Sequence, residues 1–546
     1  MLNHLQFLSS TNFTSNSELR RTSSNDDTYT SLLLHDHNNN PPNKKKRDYY
    51  STAATIDQLV VDNHQVDVEV QKKEDDSIHS LSAKAVIQEF KILMQVSNPA
   101  VLTYMLQYSL QTGSVLVVGR LGSQELAASV FAFMFATITG WLLGLGGSTA
   151  LDTLGSQLWG ASNDKSYIQK RREMNILLQR TCILLNVCFI PVAVLWYFVE
   201  PVLLLLGQDA LLCQMVQEFL RYAIPGTPAY IGFEAIKKYL QAQEILPHAS
   251  TITLMMCSPL NVLITYLFVH TLDLGFIGAP IASSLTHWIM LFVLIGFMCI
   301  FGDSNHKEAE WGLWPIHREA FKQWKEFLGL AIPGIISLGS EYAAFEVVTV
   351  LVGLLDSSTT MAAQSIIVIA DDLLCTVPLG ISVATTTRVG YWLGRGLHSH
   401  AKMSSIVSTI LAFLIGVISA IVLLATKNIF GFLFSEDMAV VALVSKVLPF
   451  LAIFQMVDGV AGASGGALRG SGCQHWSATV NLIGYYIFAL PLGVFLSFGS
   501  PHLELTGLWT ALCAGLLAIS SIQTIFLLRM NWQRQVDICT LRLNKQ

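Results

Sequence analysis

Apolar residues run through this chain in long blocks, not in the narrow stripes of a soluble helix or the alternation of a half-buried strand. About 20 consecutive apolar residues suffice for a helix to cross a bilayer core. Windows of roughly that length, free of Asp, Glu, Lys and Arg, lie at 92–119, 126–151, 181–199, 245–272, 274–302, 403–426, 470–503 and 505–528. Four further apolar segments are interrupted by charge. They are 212–240 (Glu218, Arg221, Glu234), 328–355 (Glu341, Glu346), 360–386 (Asp371, Asp372) and 441–468 (Lys446, Asp458). The pattern predicts an all-α integral membrane protein with twelve transmembrane helices.

Composition supports this. Of 546 residues, 52% are hydrophobic and 13% charged, with a mean hydropathy of +0.49, against about 25% charge in a soluble protein. The net charge of -5 is spread along the chain, which argues against a nucleic-acid partner. The nine cysteines are scattered, with no CxxC and no Cys/His cluster at ligand spacing, so neither a metal site nor a disulfide framework is expected, and no cofactor. Residues 1–88 are rich in Ser, Thr and Asn and hold the basic run Lys44–Arg47. They read as a disordered tail and not as a signal peptide.

Orientation follows from loop charge. Lys165, Lys170, Arg171 and Arg172 separate the second and third spans, and Lys307, Arg318, Lys322 and Lys325 the sixth and seventh. Arg388, Arg395 and Lys402 separate the eighth and ninth, and Arg529, Arg534, Arg542 and Lys545 follow the last. The opposite loops hold Arg120 and Lys427. Both termini are therefore expected in the cytosol. The expected organisation is a cytosolic tail (1–88), a six-helix lobe (89–302), a cytosolic loop (303–326), a second six-helix lobe (327–530) and a C-terminal tail (531–546).

The chain also repeats itself. A shift of 234 residues lays Pro99 on Pro333, Gly119 on Gly353, Ala128 on Ala362, Gly146 on Gly380, Ser148 on Ser382, Ala150 on Ala384 and Gly160 on Gly394. A weaker echo near 228 to 229 pairs Leu240 with Leu468 and Gly278 with Gly507. A repeat with an even number of spans inserts twice in the same orientation, giving two parallel six-helix repeats around a central cavity. That layout suits alternating access better than a pore.

Several stretches resemble the multidrug and toxic compound extrusion (MATE) family. One is Leu151-Asp152-Thr153-Leu154-Gly155-Ser156-Gln157-Leu158-Trp159-Gly160-Ala161; others are Val377-Pro378-Leu379-Gly380 running to Arg388-Val389-Gly390, and Ala467-Leu468-Arg469-Gly470-Ser471-Gly472. Glu341 with Glu346, and Asn481-Leu482-Ile483-Gly484-Tyr485-Tyr486, fit eukaryotic members. The resemblance spans about residues 90–530. It implies export of organic cations, xenobiotics or small metabolites in exchange for protons, or in some members sodium. It also implies that carboxylates at Glu341, Glu346 and Asp458 take part in coupling.

The residues give their own reason for interest in these acids. An ionisable group in a span costs about 2.5–3.5 kcal/mol on insertion scales and therefore faces the protein interior. A carboxyl kept from water favours its neutral form, which suits a group that loads and releases protons. Glu341 and Glu346 are five residues apart, about 140° around a helix, so they cannot share one narrow face. Asp371 and Asp372 depart from the family pattern, which often has a glutamate at the position of Ile369; Asp372 lies one turn on, either replacing it or pairing with a base. Gln107 falls on Glu341 in the repeat, so the first span has no acid, and coupling is placed in the second half. Gln107 either binds substrate or bridges helices. Trp141, Tyr342, Asn481 and Tyr485 are candidates to line a cavity for cations through ring contacts, or to pack. Glu234 is expected to pair with Lys238 one turn on, and Asp152 and Arg388 to lie just past helix ends.

No H-E-x-x-H or Walker loop is present, which argues against an enzyme or a nucleotide-driven pump. The expected function is a monomeric antiporter with a small cationic substrate, proton or sodium as coupling ion and the bilayer as its solvent, in a plasma or vacuolar membrane. The alternative is a lipid or lipid-linked flippase of the same superfamily.

Overall fold

A computed structural model of the chain describes residues 83–161, 167–205, 207–243, 248–301, 316–355, 357–500 and 502–544. The expected tail lies outside the described residues up to residue 82, and most of the expected loop 303–326 does too. Of an N-terminal unit ending at Ile87, residues 83–87 are described and are helical. The second unit, Gln88–Gln546, holds the helical bundle and the site within it.

Among the described residues, twelve long helices run through the fold. In the first half they are α1 (Ala83–Val118), α2 (Ser123–Gly160), α3 (Tyr167–Tyr197), α4 (210–242), α5 (Ala249–Thr271) and α6 (Gly275–Ile300). In the second half they are α7 (Trp324–Gly353), α8 (Ser358–Gly394), α9 (His398–Leu433), α10 (Met438–Gly470), α11 (Gln474–Phe498) and α12 (Glu504–Arg529). Among the described residues, ten of these are long and apolar enough to cross a membrane by length and composition. The other two have visible reasons for falling short. The apolar run of α1 is diluted by Gln107, Gln111 and several Ser and Thr. In α4 a 3-10 turn at Ile224–Gly226, set by Pro225, splits the helix into Ala210–Ala223 and Thr227–Ala242. A further helix, α13 (Trp532–Leu543), occupies the expected C-terminal tail.

Two helix boundaries differ from the expectation. α2 continues to Gly160, so Asp152 lies inside a helix and is buried. α8 continues to Gly394, so Arg388 is likewise helical and buried. Both extensions are held by packing between the halves, which hydropathy alone does not register.

The 234-residue shift maps the inter-half contacts onto one another. A Cβ at Gly160 would collide with the Tyr391 carbonyl, and one at Gly394 with the Gln157 carbonyl; residues 157 and 391 are themselves 234 apart. Likewise Gly146 packs on Ile335, and Gly380, its equivalent, packs on Val101, the equivalent of Ile335. Small residues let the backbones approach closely, as interfaces between membrane helices require. Two more pairs join equivalent residues directly: Ser156 meets Gly390, and the Tyr108 and Tyr342 hydroxyls are 2.8 Å apart. Equivalent atoms in contact must lie beside the pseudo-two-fold axis, so these two pairs mark its course.

The halves are closed together at the end of the bundle where the basic loops lie, called here the basic end. Thr153 of α2 donates to the Arg469 carbonyl at 2.8 Å and Gln157 to the Gly470 carbonyl at 2.8 Å. Arg388 of α8 grips Glu89 of α1 through two hydrogen bonds of 2.7 and 3.0 Å. Phe327, Leu330 and Ala331 at the start of α7 are part of the first half's hydrophobic core.

Candidate functional site

The second half gathers its acids on three helices. Asp371 of α8 and Asp458 of α10 are each 6% exposed, and Glu341 of α7 is half-buried. Gln455, one turn before Asp458, donates to Asp371 Oδ1 at 2.8 Å. Glu341 is close enough to act electrostatically on both aspartates, and all three acids lie within such reach of Tyr485 of α11. Tyr485 belongs to a π-helical stretch, Ile483–Ala489, the kind of local widening that recurs at functional sites. Among the described residues, none of these acids makes an ion pair. The basic group within electrostatic reach of Glu341 is Arg469, itself buried and donating to Ser382.

Glu346 is half-buried and faces a different neighbour, Asp372, as the 140° between it and Glu341 requires. Asp372 is exposed and lies near the Tyr108–Tyr342 pair. Cys375, at the break inside α8, approaches the Tyr108 hydroxyl at 3.8 Å. The acids thus form two groups. Glu341, Asp371 and Asp458 lie inside the second half, and Glu346 with Asp372 lies toward the axis. Of the two neighbouring aspartates, Asp371 is the one held within the buried group.

The first half answers with a different arrangement. Gln107, the repeat partner of Glu341, donates to the Tyr230 hydroxyl and to Glu234 Oε1, each at 3.0 Å, and accepts from Lys237 at 3.0 Å. Its amide is fully engaged in joining α1 to α4. Shifting by 228 lays Tyr230 on Asp458, so a Gln–Tyr contact stands where the second half has Glu and Asp. Glu234 pairs with Lys237 at 2.7 Å, one residue short of the expected Lys238. Lys238 instead reaches across to Asp152 of α2 at 2.8 Å. The rotation between positions i+3 and i+4 sends the two lysines to different helices. Tyr104 supports both, with Lys237 4.6 Å above its ring and Lys238 3.3 Å from its hydroxyl.

The aromatic candidates separate. Tyr342 lies on the axis. Trp141 ends a π-helical stretch of α2 and lines a first-half pocket with Gln107, Tyr230 and His287; its buried indole N–H has no hydrogen-bond partner among the described residues. Asn481 is buried and committed: it donates to the Ser337 carbonyl at 3.1 Å and accepts from Gln523 at 2.9 Å. Sequence reasoning missed the Glu89–Arg388 and Asp152–Lys238 pairs, because each joins residues remote in sequence and neither has a local signature. Among the described residues there is no group of three or more His, Cys, Asp or Glu that could hold a metal ion.

The MatE family model matches residues 99–267 and 333–495, two segments that begin 234 residues apart (333 − 99). A protein of Schizosaccharomyces pombe described as an uncharacterized transporter is 36% identical over 466 residues, covering 85% of this chain and 84% of its own length. Human multidrug and toxin extrusion protein 1 is 34% identical over 469 residues, covering 85% and 79%. Among solved structures, the eukaryotic MATE transporter AtDTX14 matches with a TM-score of 0.76 at 25% identity, over 84% of this chain and 99% of that one. A Vibrio cholerae MATE transporter shares the fold at 15% identity, with a TM-score of 0.71 over 82% and 99%.

Proposed function

The chain belongs to the multidrug and toxic compound extrusion family, and from that premise we propose that it is a secondary active antiporter exporting organic cations in exchange for protons. The observation that carries this reading is the group Glu341, Asp371 and Asp458, which makes no ion pair among the described residues. A carboxylate without a fixed counter-charge attracts a cation, and the same carboxyl once protonated releases it. Neutralising by proton or by substrate, but not by both, is what exchange requires. Glu341 and Asp458 carry the exchange. Asp371, oriented by Gln455, shares the proton with them, while Glu346 and Asp372 form an outer pair near Tyr342.

The basic end faces the cytosol, as its loop charges favour, so the closed seam there corresponds to a state open to the far side. Rocking of one half against the other exposes the acids to each side in turn. Lys237 and Lys238 occupy fixed pairs in the first half, and the acids of the second half outnumber Arg469, the base within reach of Glu341, so the site favours a cation over an anionic lipid headgroup.

Reconstituted vesicles test this directly. A fluorescent organic cation should accumulate against its gradient when a pH difference is imposed and should fail to do so in Glu341→Gln, with an unchanged melting temperature as folding control. Accumulation driven by a sodium difference at equal pH would reassign the coupling ion. Gradient-driven transport by a well-folded Glu341→Gln variant would remove Glu341 from the mechanism.

A further inference from the structure

The last twelve-residue helix, α13, has no place in the twelve-helix frame, yet it is built into the fold. Trp532, Val536 and Cys539 recur at helical spacing and are 5%, 7% and 1% exposed. They pack with Trp392 and Leu393 of α8, Ala401 of α9 and Leu468 of α10, all in the second half. Asn531 caps the helix by accepting from the Arg534 N–H at 3.1 Å. By its apolar face α13 therefore travels with the second half.

Its final turn does something else. Leu543 packs against the cores of both halves. Arg542 donates to Gln157 Oε1 of α2 at 3.0 Å and stands 3.5 Å from Glu326 at the start of α7. Gln157 is itself a seam residue: its side-chain amide donates to the Gly470 carbonyl, and its own carbonyl lies against Gly394. The guanidinium also lies directly beneath Gly472, where a Cβ would meet it at 2.5 Å. Opening the basic end must draw α2 away from α8 and α10, and hence Gln157 away from Arg542. The anchored face of α13 cannot follow both.

We propose that α13 is a strap across the basic-end seam and that Arg542 is a positioning residue of the transport cycle, holding the halves closed through Gln157. The strap is hinged on the second half and hooked on the first, so its contribution is lost each time the basic end opens. It biases the transporter toward the state seen here and sets how readily the basic end admits substrate. This rests on the alternating-access reading above, but it can be measured without any substrate.

Spin labels placed at Ile168 on α3 and Lys402 on α9, both exposed at the basic end, with the exposed Cys299 replaced by Ser, report the separation of the halves. Arg542→Ala should raise the population with the longer label distance by about tenfold or more, the lower end for losing one hydrogen bond from a charged donor. Arg542→Lys, which can still donate to Gln157, should restore most of the closed population. In vesicles the Arg542→Ala variant should lower the KM for substrate on the basic side more than it changes maximal rate. An unchanged distance distribution in Arg542→Ala overturns the proposal, as does a lowered melting temperature without redistribution, which would make α13 a packing element only. Loss of pH-driven transport in the unmodified protein would instead count against the antiporter reading and leave the distance result standing.

Discussion

The two halves share a fold and a repeat of 234 residues, yet they treat buried carboxylates in opposite ways. In the first half, Glu234 and Asp152 are 0% and 2% exposed, and each is held by its own lysine at 2.7 and 2.8 Å. In the second, Asp371 and Asp458 are about as buried, and among the described residues no lysine or arginine pairs with them. A paired carboxylate is held ionised by its partner; one without a partner takes up a proton more readily. The same helical frame thus holds its buried carboxylates in ion pairs in one half and, among the described residues, without them in the other. The substitution at the repeat position itself, Gln107 for Glu341, follows the same division.

The largest consequence of this contrast is expected at Lys238. Replacing it with Met leaves Asp152 buried without its partner, and removing one member of a buried pair costs about 3–5 kcal/mol. Lys238→Met should therefore lower the melting temperature sharply, and the double variant Asp152→Leu with Lys238→Met should recover most of the loss. Asp458→Asn, which removes an acid that makes no ion pair among the described residues, should cost little or nothing in the same assay. Equal losses for Lys238→Met and Asp458→Asn would show that the halves do not differ in this way.

A smaller effect is expected where the halves meet. Apart from the long Cys375 contact on Tyr108, the Tyr108 and Tyr342 hydroxyls bond to each other, equivalent to equivalent across the axis. Tyr108→Phe and Tyr342→Phe should each cost about 0.5–1.5 kcal/mol. The double variant should cost no more than either single one. Additive losses in thermal unfolding would mean that the hydroxyls have separate partners.

Much of this organisation was legible in the sequence. Charge-free windows and interrupted apolar segments pointed to the twelve helices, and identical small residues at a fixed shift pointed to the repeat, because glycine at 146, 160, 380 and 394 is there to admit a neighbouring backbone. The intramembrane acids stood out because their insertion is costly. What could not be read was pairing. Glu234, Lys237 and Lys238 stand within one turn, and sequence spacing alone favoured the i+4 partner; the choice of i+3 was made by Asp152, 86 positions away (238 − 152), and by Gln107. Nor could hydropathy reveal α13, whose mean character is polar and whose three buried residues matter only because α8, α9 and α10 supply the surface they cover. Asn481 looked available in the sequence, but Ser337 and Gln523 use its hydrogen-bonding capacity.

If the division between the halves governs transport, protons exchange on the carboxyls of the second half and not on those of the first. Infrared difference spectroscopy of the purified protein, stepping between acidic and neutral pH, detects this through the carbonyl stretch of protonated carboxylic acids. The pH-dependent band should be diminished in Glu341→Gln and in Asp458→Asn and unchanged in Glu234→Gln and Asp152→Asn. A band that survives both second-half substitutions and disappears with Glu234 or Asp152 would contradict this division.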